Sequence, residues 1–135
     1  MKFNDVVFAR RGDLSRCTAI GEREAGWLCG TGCMLIRVLA EVIDGRWLSL
    51  VYRLDWSQRQ ILAGAVGSTM VNLNTSLLAR LILAKPTRTE QQSIVERLDA
   101  HDARVRAEEA YRDNLKQLKQ GLMDDLLTGR VRVKA

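Results

Sequence analysis

Residues 89–127 of this chain read TEQQSIVERLDAHDARVRAEEAYRDNLKQLKQGLMDDLL, and they carry the clearest structural signal in the sequence. It contains no proline and one glycine, and most of its residues have high helix propensity. Thr89 followed by Gln92 has the spacing of a capping box, and Glu90 suits the positive end of a helix dipole. A glycine just after the stretch provides a stop. The sequence therefore predicts one helix over residues 90–127, roughly 57 Å long at about 1.5 Å per residue.

One side of this helix carries a narrow seam of mostly apolar side chains, at spacings that mostly alternate between four and three. The seam positions are Ile94, Leu98, His101, Val105, Glu108, Tyr111, Leu115, Leu118, Leu122 and Leu126. So narrow a seam is typical of a coiled coil, and the preceding residues are too few to bury it. We therefore expect the helix to pair with another helix, from a second copy or from another protein. His101 is interpreted as a polar residue that sets the register, not as a catalyst or metal ligand.

The single proline, Pro86, divides the 135 residues into two parts. Eight of the ten glycines and all three tryptophans precede it, so residues 1–85 are predicted to form a globular domain and residues 86–135 the helix and a short tail. The formal net charge is +5, and residues 1–85 contribute most of it, with 11 basic and 7 acidic side chains. Of the 21 basic residues 16 are arginine. An arginine-rich surplus on the globular part hints at a polyanionic partner.

Short β-strands and helices are expected in the globular part. Residues 5–9 and 14–20 predict the strands of a hairpin with its turn at residues 10–13, and residues 27–38 predict a further strand interrupted by glycines. Asp44 is expected to cap one short helix.

Ser57 is expected to cap a second helix that ends near Gly64. Residues 67–74 are expected to form a loop, and residues 77–84 to return to the core partly as a strand. The predicted fold class is α+β: a small mixed or antiparallel β domain with short helices, followed by one long helix that pairs as a coiled coil.

The composition gives little support to catalysis. The chain has one histidine and three cysteines, Cys17, Cys29 and Cys33, without metal-ligand spacing, and we expect these thiols to be reduced. No glycine-rich phosphate loop, acidic metal cluster or nucleophile–base pair is found in the sequence. The first residues do not resemble a signal peptide, and no apolar run approaches membrane-spanning length. We expect a cytoplasmic, non-catalytic protein with no cofactor and no metal.

Two groups of residues are candidates for contact with nucleic acid. The hairpin tip is basic, and its guanidinium groups suit phosphates or the acceptor edge of guanine, while its glycine allows a positive φ and close backbone approach. The later loop offers uncharged donors and acceptors. The two groups are Arg10, Arg11, Gly12 and Arg16, and Ser68, Thr69, Asn72 and Asn74. The alternatives are a solvated turn for the first group and turn-capping side chains for the second. Trp27, Trp47 and Trp56 are interpreted as core and interface packing residues rather than platforms for base stacking.

Three segments resemble the specificity subunit of type I restriction–modification enzymes. They are GSTMVNLN at 67–74, PTRTEQ at 86–91 with Ile94, Leu98 and Asp102, and, most specifically, LKQGLMDDLLTGRVRV at 118–133. Upstream, DVVFARRG at 5–12 and GTGC at 30–33 look like strand and turn elements from the second half of that family's target-recognition domain.

The resemblance implies a subunit that reads double-stranded DNA without catalysing a reaction. A full-length member has two recognition domains, each followed by a long helix, and the two helices pack antiparallel as a spacer. Modification subunits dock on this frame, and a restriction subunit joins them. This chain departs by having one domain and one helix, which implies a homodimer, because a second copy would supply the missing helix. A second departure is that the domain lacks its N-terminal half, which bears on whether it reads DNA intact. The chain also has Thr87 and Arg88 where apolar residues are usual, which predicts weaker packing there. The alternative function is a coiled-coil interaction module that no longer binds DNA by itself.

Overall fold

The computed structural model describes residues 1–64 and 72–133. The elements in chain order are β1 (Val6–Ala9), β2 (Cys17–Ala19), β3 (Cys33–Ile36), α1 (Gly45–Tyr52), α2 (Asp55–Gly64), α3 (Thr75–Ala79) and α4 (Arg88–Leu127). The predicted α+β class is confirmed. The chain has two compact units, Met1–Val95 and Glu96–Ala135, so the first two turns of α4 belong to the globular unit. None of the helices in the described ranges is long and apolar enough to cross a membrane.

The sheet is antiparallel, with strand order β2-β1-β3. Phe8 of β1 lies opposite Cys17 of β2 and Met34 of β3, which confirms the predicted hairpin. The second strand is shorter than expected, because the Arg16 N–H donates to the Asp13 carbonyl and so continues the turn.

The strand expected over residues 27–38 is reduced to β3. Before it the backbone bonds locally, with the Cys33 N–H donating to the Gly30 carbonyl at 3.0 Å and the Trp27 N–H to the Glu24 carbonyl at 3.1 Å. A backbone folded on itself in this way offers no ladder to a neighbouring strand.

The core lies between the inner face of the sheet and α1. Asp44 caps α1 as predicted, because its side chain accepts hydrogen bonds from the N–H groups of Arg46 and Trp47. The rings of Phe8 and Tyr52 meet edge to face with centroids 4.7 Å apart, and the Tyr52 hydroxyl donates to the Leu14 carbonyl at 2.8 Å. The strand, the hairpin turn and α1 are therefore fastened to one another at this point.

Only one of the three tryptophans packs in this core. Trp47 is buried, whereas 61% of Trp27 and 49% of Trp56 is exposed. The interpretation as a core residue is therefore confirmed for Trp47, whereas Trp27 and Trp56 lie outside the core and their packing in an interface stays a prediction. Trp27 precedes β3, and Trp56 is exposed in the first turn of α2.

Two predictions about the middle of the chain are wrong. Ser57 does not cap α2, which begins at Asp55; Ser57 is buried, and its hydroxyl donates to the Val51 carbonyl at 2.7 Å. Residues 77–84 do not contain a strand: Asn74 caps α3, and the chain then runs without regular structure to α4. The Gln60 amide accepts from the Ile82 N–H and donates to the Ile82 carbonyl, each at 3.0 Å, and so replaces strand pairing there.

The long helix is confirmed, but it begins earlier than predicted. Its capping box is Thr87 with Glu90, not Thr89 with Gln92: the Glu90 N–H donates to the Thr87 hydroxyl at 3.3 Å, and the Thr87 N–H donates to the Glu90 carboxylate at 2.8 Å. Hydrogen bonds from the Thr87 hydroxyl and N–H also lower the pKa of Glu90. The predicted stop is confirmed, since Gly129 adopts a φ of 73° and the Val131 N–H donates to the Asp125 carbonyl.

The start of α4 is held to the globular unit by Gln91 and Arg88. The fully buried Gln91 side chain accepts from the Asp44 N–H at 2.8 Å and donates to the Val42 and Pro86 carbonyls at 3.1 and 2.9 Å. Arg88 Nε donates to the Ala40 carbonyl at 2.9 Å. Its Nη1 lies 2.8 Å from Asp44 Oδ2, as an ion-pair contact rather than a hydrogen bond. Thr87 and Arg88 therefore take part in this junction through polar contacts, and the weaker packing expected from the loss of apolar residues there stays a prediction.

The ionisation of Asp5 makes the stability of the globular unit depend on pH. Its buried carboxylate accepts from Arg37 Nε and Nη2, each at 3.0 Å, and from the Lys2 N–H at 2.7 Å. The hydrogen bonds from Arg37 hold the pKa of Asp5 below its usual value, against the opposing effect of burial. A lowered pKa means that this stabilisation is complete above about pH 4, the unfolded value, and is lost as the pH falls through the folded value.

Asp5→Asn should therefore unfold more easily at neutral pH, by roughly 1–2 kcal/mol once the exposure of Arg37 is allowed for. Its stability should also fall less steeply than that of the parent below about pH 4. Denaturant unfolding between pH 3 and 7 measures both effects, with the exposed Glu41→Gln as the control. Parallel pH profiles for Asp5→Asn and the parent would refute this role.

Candidate nucleic-acid interface

The hairpin tip and two other turns come together at one end of β1. The Ala9 N–H donates to the Arg16 carbonyl at 2.9 Å and closes the hairpin. The Arg10 N–H donates to the Gly32 carbonyl at 3.0 Å, and the Arg10 carbonyl accepts from the Leu73 N–H at 2.9 Å. The basic tip is therefore joined by backbone hydrogen bonds to the turn before β3 and to the segment before α3, which is one of the two predicted contact regions.

The conformation of the tip is fixed by its own residues. Asp13 Oδ1 accepts from the N–H of Ser15 at 3.0 Å and from its hydroxyl at 2.6 Å, and these bonds lower the pKa of Asp13. Gly12 has the positive φ expected from the sequence, 73°, and nothing lies within 4 Å of where a Cβ would be. The tip thus presents a backbone that a phosphate or base edge can approach closely.

Arg10, Arg11 and Arg16 are exposed at this tip. An open surface groove of about 630 Å³ runs beside it. Its lining residues are Val7, Ala9, Arg11, Asp13, Ser15, Arg16, Cys17, Thr18, Gly32, Cys33 and Arg53. Three guanidinium groups and one carboxylate make the groove cationic, which suits an anionic ligand.

Arg53 is a member of this groove that the sequence interpretation missed. It lies at the C-terminal cap of α1, 37 positions after Arg16. The preceding residue, Tyr52, is bonded through its hydroxyl to Leu14, and this contact brings the end of α1 to the hairpin. A buried tyrosine followed by an arginine is too common a pattern to have identified the site.

The segment before α3 supplies one exposed amide to this region. Asn72 is exposed beside the buried Leu73, which bonds to Arg10. Asn74 has a structural task, since its side-chain oxygen accepts from the Leu77 N–H at 2.9 Å and from the Ser76 hydroxyl at 2.8 Å. Ser68 and Thr69 lie outside the described residues.

One thiol of the groove, that of Cys17, is poorly suited to covalent chemistry. Burial raises the pKa of the Cys17 thiol to about 12, so the thiol stays protonated at neutral pH and is a poor nucleophile. Burial also raises the pKa of Tyr52, below the tip, to about 12. Within residues 1–64 and 72–133, no group of three His, Cys, Asp or Glu side chains is placed to hold a metal ion.

The second candidate surface is the seam of α4. Ile94, Leu98, Val105, Leu115, Leu118, Leu122 and Leu126 are each exposed by 41–61% of their surface, and His101 is exposed as well. Two shallow grooves follow the seam. One passes His101, Val105 and Glu108, and the other, of about 330 Å³, is lined by Lys119 and six apolar residues between Leu115 and Leu127. The predicted seam is thus present as a continuous exposed face.

The sequence is similar to known proteins over both candidate surfaces, the groove at the hairpin tip and the seam of α4. The family model described as "Type I restriction modification DNA specificity domain" matches residues 2–117, which include the groove and most of the seam. The Type I restriction enzyme MjaVIII specificity subunit of Methanocaldococcus jannaschii is 24% identical over 95 residues, which are 70% of this chain. The chain spans about a fifth of that relative's length, since the match covers 22% of it. The matched range confirms the resemblance seen in the sequence: the chain belongs to the family of type I restriction modification DNA specificity domains.

Proposed function

We propose that the chain is a DNA sequence-specificity component of a type I restriction–modification system. It binds double-stranded DNA and positions modification and restriction subunits there, and it catalyses no reaction itself. The observation that carries this proposal is the cationic groove at the hairpin tip, inside the range that matches the family. The M. jannaschii relative is a specificity subunit, which supports the same role.

The residues of the groove and of the adjacent hairpin tip and segment before α3 divide into those suited to the DNA backbone and those suited to bases. Arginine contacts phosphates and also binds the O6 and N7 acceptors of guanine with two parallel hydrogen bonds. We assign these contacts to Arg10, Arg11, Arg16 and Arg53. The exposed backbone at Gly12 allows a DNA strand to approach closely. The Asn72 amide suits the edge of adenine.

The remaining candidates are Asn74, which has a supporting role, and Ser68 and Thr69, which lie outside the described residues. The Asn74 oxygen is occupied by the cap of α3, so its contribution is to hold the segment that presents Asn72. Ser68 and Thr69 are retained as candidate DNA contacts from their place in the loop sequence alone.

The exposed seam of α4 supplies the assembly part of the function. A continuous apolar face along a 40-residue helix is costly to leave in water, which supports helix pairing and a homo-oligomer. We propose that the paired helices, together with the recognition domain, are the frame on which the modification subunit docks and which the restriction subunit joins. This role places the protein in the cytoplasm, where the DNA is.

A second candidate function is a coiled-coil interaction module that no longer binds DNA by itself. The observation in its favour is that the apolar seam of α4 is exposed, so the helix can pair with another helix even if the groove does not bind DNA. The two functions differ in whether the isolated chain has affinity for duplex DNA.

Measuring duplex binding against salt tests the proposal. If Arg10 of the hairpin tip and the three arginines of the groove contact phosphates, log K should fall with log salt at a slope of about −3 to −4. Fluorescence anisotropy with labelled duplexes between 20 and 300 mM salt measures this slope. Absence of binding at the lowest salt, in a folded sample, would reject the DNA role and favour the interaction module. Co-purification with a modification subunit tests the assembly role separately.

A further inference from the structure

The turn Gly30-Thr31-Gly32 precedes β3, is hydrogen-bonded to the hairpin tip, and lies outside both groups of contact residues predicted from the sequence. We propose that this turn is a further DNA contact, which binds a phosphate of one strand through its backbone N–H groups and the Thr31 hydroxyl. This rests on the proposed function, since the DNA must lie at the hairpin tip for the turn to reach it.

The fold of the chain itself does not require the two glycines of this turn. Neither Gly30 nor Gly32 has a positive φ, and nothing lies within 4 Å of where a Cβ of either would be. Gly12, by contrast, has a φ of 73°, and a Cβ on Gly45 would meet the Asn4 carbonyl oxygen at 2.5 Å. Glycine at an ordinary φ lowers stability, because the unfolded chain has more conformational freedom to lose. What the two glycines provide is exposed backbone that another molecule can approach closely.

The backbone of the turn also has donors that the chain does not use. Arg10 and Gly32 follow Ala9 and Cys33, the last pair of the β1–β3 register, and such a pair can exchange two hydrogen bonds. Here the Arg10 N–H donates to the Gly32 carbonyl, but the Arg10 carbonyl accepts from the Leu73 N–H instead. The Gly32 N–H is therefore left without this acceptor.

The same holds for the rest of the turn. Within residues 1–64 and 72–133, no hydrogen bond uses the N–H groups of Gly30, Thr31 or Gly32, or the Thr31 hydroxyl. The carbonyls of Gly30 and Gly32 already accept, from the N–H groups of Cys33 and Arg10 at 3.0 Å each. A turn whose donors are open and whose carbonyls are engaged suits a ligand that only accepts hydrogen bonds, as a phosphate does.

The charges around the turn favour the same ligand. Gly32 lines the cationic groove together with Arg11 and Arg16, and the one carboxylate there, that of Asp13, is already bonded to Ser15. Backbone N–H groups and threonine hydroxyls are common phosphate ligands in protein–DNA complexes. The turn would therefore hold the strand in place while the arginines supply the charge, and its contribution to affinity should not depend on the base sequence.

Replacing both glycines separates this role from a structural one. Gly30→Ala with Gly32→Ala should weaken duplex binding at least about tenfold, because two methyl groups keep the strand from the backbone. The slope of log K against log salt should change by less than about 0.5, because no charge is removed. The Tm should stay the same or rise by up to about 5 °C, since alanine reduces the freedom of the unfolded chain. Fluorescence anisotropy and thermal unfolding measure these quantities.

Two further variants serve as controls. Gly121→Ala, in α4, also has open space and no positive φ, and it should change the affinity less than about twofold. Thr31→Val removes the hydroxyl and should weaken binding about three- to fivefold, whereas Thr31→Ser keeps the hydroxyl and should bind within about twofold of the parent.

The outcomes distinguish this inference from the proposed function. If the parent binds duplex DNA and the two-alanine variant binds it equally well, the turn is not a contact and the proposed function stands. A fall in Tm that accompanies the loss of affinity would also overturn the inference, because the fold would then need the glycines. Absence of binding by the folded parent would reject both.

Discussion

Gln91→Leu should lower the free energy of unfolding of the globular unit by about 2–5 kcal/mol. Leucine has nearly the same volume, but it leaves the Asp44 N–H and the Val42 and Pro86 carbonyls without the partners they have now. Each buried polar group that loses its hydrogen bond costs about 1–3 kcal/mol, and relaxation with entry of water recovers part of the total. This single side chain therefore matters more than its place at the start of a solvent-exposed helix suggests.

The neighbouring residue supplies the control for that substitution. Gln92 is exposed one position further along the same turn, so Gln92→Leu should change the stability by no more than about 0.5 kcal/mol. Urea unfolding followed by tryptophan fluorescence compares the two, since the buried Trp47 follows Asp44 on α1. Equal stabilities of the two leucine variants would mean that the junction is not held by the Gln91 amide.

Gln91 also shows why the start of α4 was predicted two residues late. Thr87 with Glu90 and Thr89 with Gln92 both satisfy the local pattern of a capping box, so short-range rules cannot choose between them. The choice depends on Gln91, whose partners at positions 42 and 44 lie almost 50 residues away in the sequence. Features set by neighbouring residues, such as the hairpin and the Asp44 cap, were predicted correctly.

The candidate site was predictable to the same extent. The arginines of the hairpin tip and the left-handed Gly12 follow from a short turn sequence, and the structure places Asn72 beside them through the Leu73 bond to Arg10. Arg53 reaches the groove only because the Tyr52 side chain packs under the sheet against Phe8. Residues 77–84 were misassigned for a similar reason, since an apolar run suits a strand or a helix until Asn74 caps it.

The second large effect is expected at the hairpin tip. A variant with Arg10→Gln, Arg11→Gln and Arg16→Gln should bind duplex DNA about 10²- to 10³-fold more weakly at moderate salt, since each charge-assisted contact contributes roughly 1–1.5 kcal/mol. Glutamine keeps the polarity of the turn. The bonds of Asp13 with Ser15 should keep its shape, so the loss should come from charge and not from unfolding.

The salt dependence distinguishes this site from a general effect of net charge. Each arginine that contacts a phosphate should reduce the slope of log K against log salt by about 1, so the triple variant should lose about 3. The control with Arg23→Gln, Arg59→Gln and Arg106→Gln has the same net charge, and all three positions are exposed and outside the groove. That control should lose affinity only through the long-range field and should keep its slope. Equal losses in both variants would show that DNA is attracted by overall charge, and the hairpin tip would then not be the recognition surface.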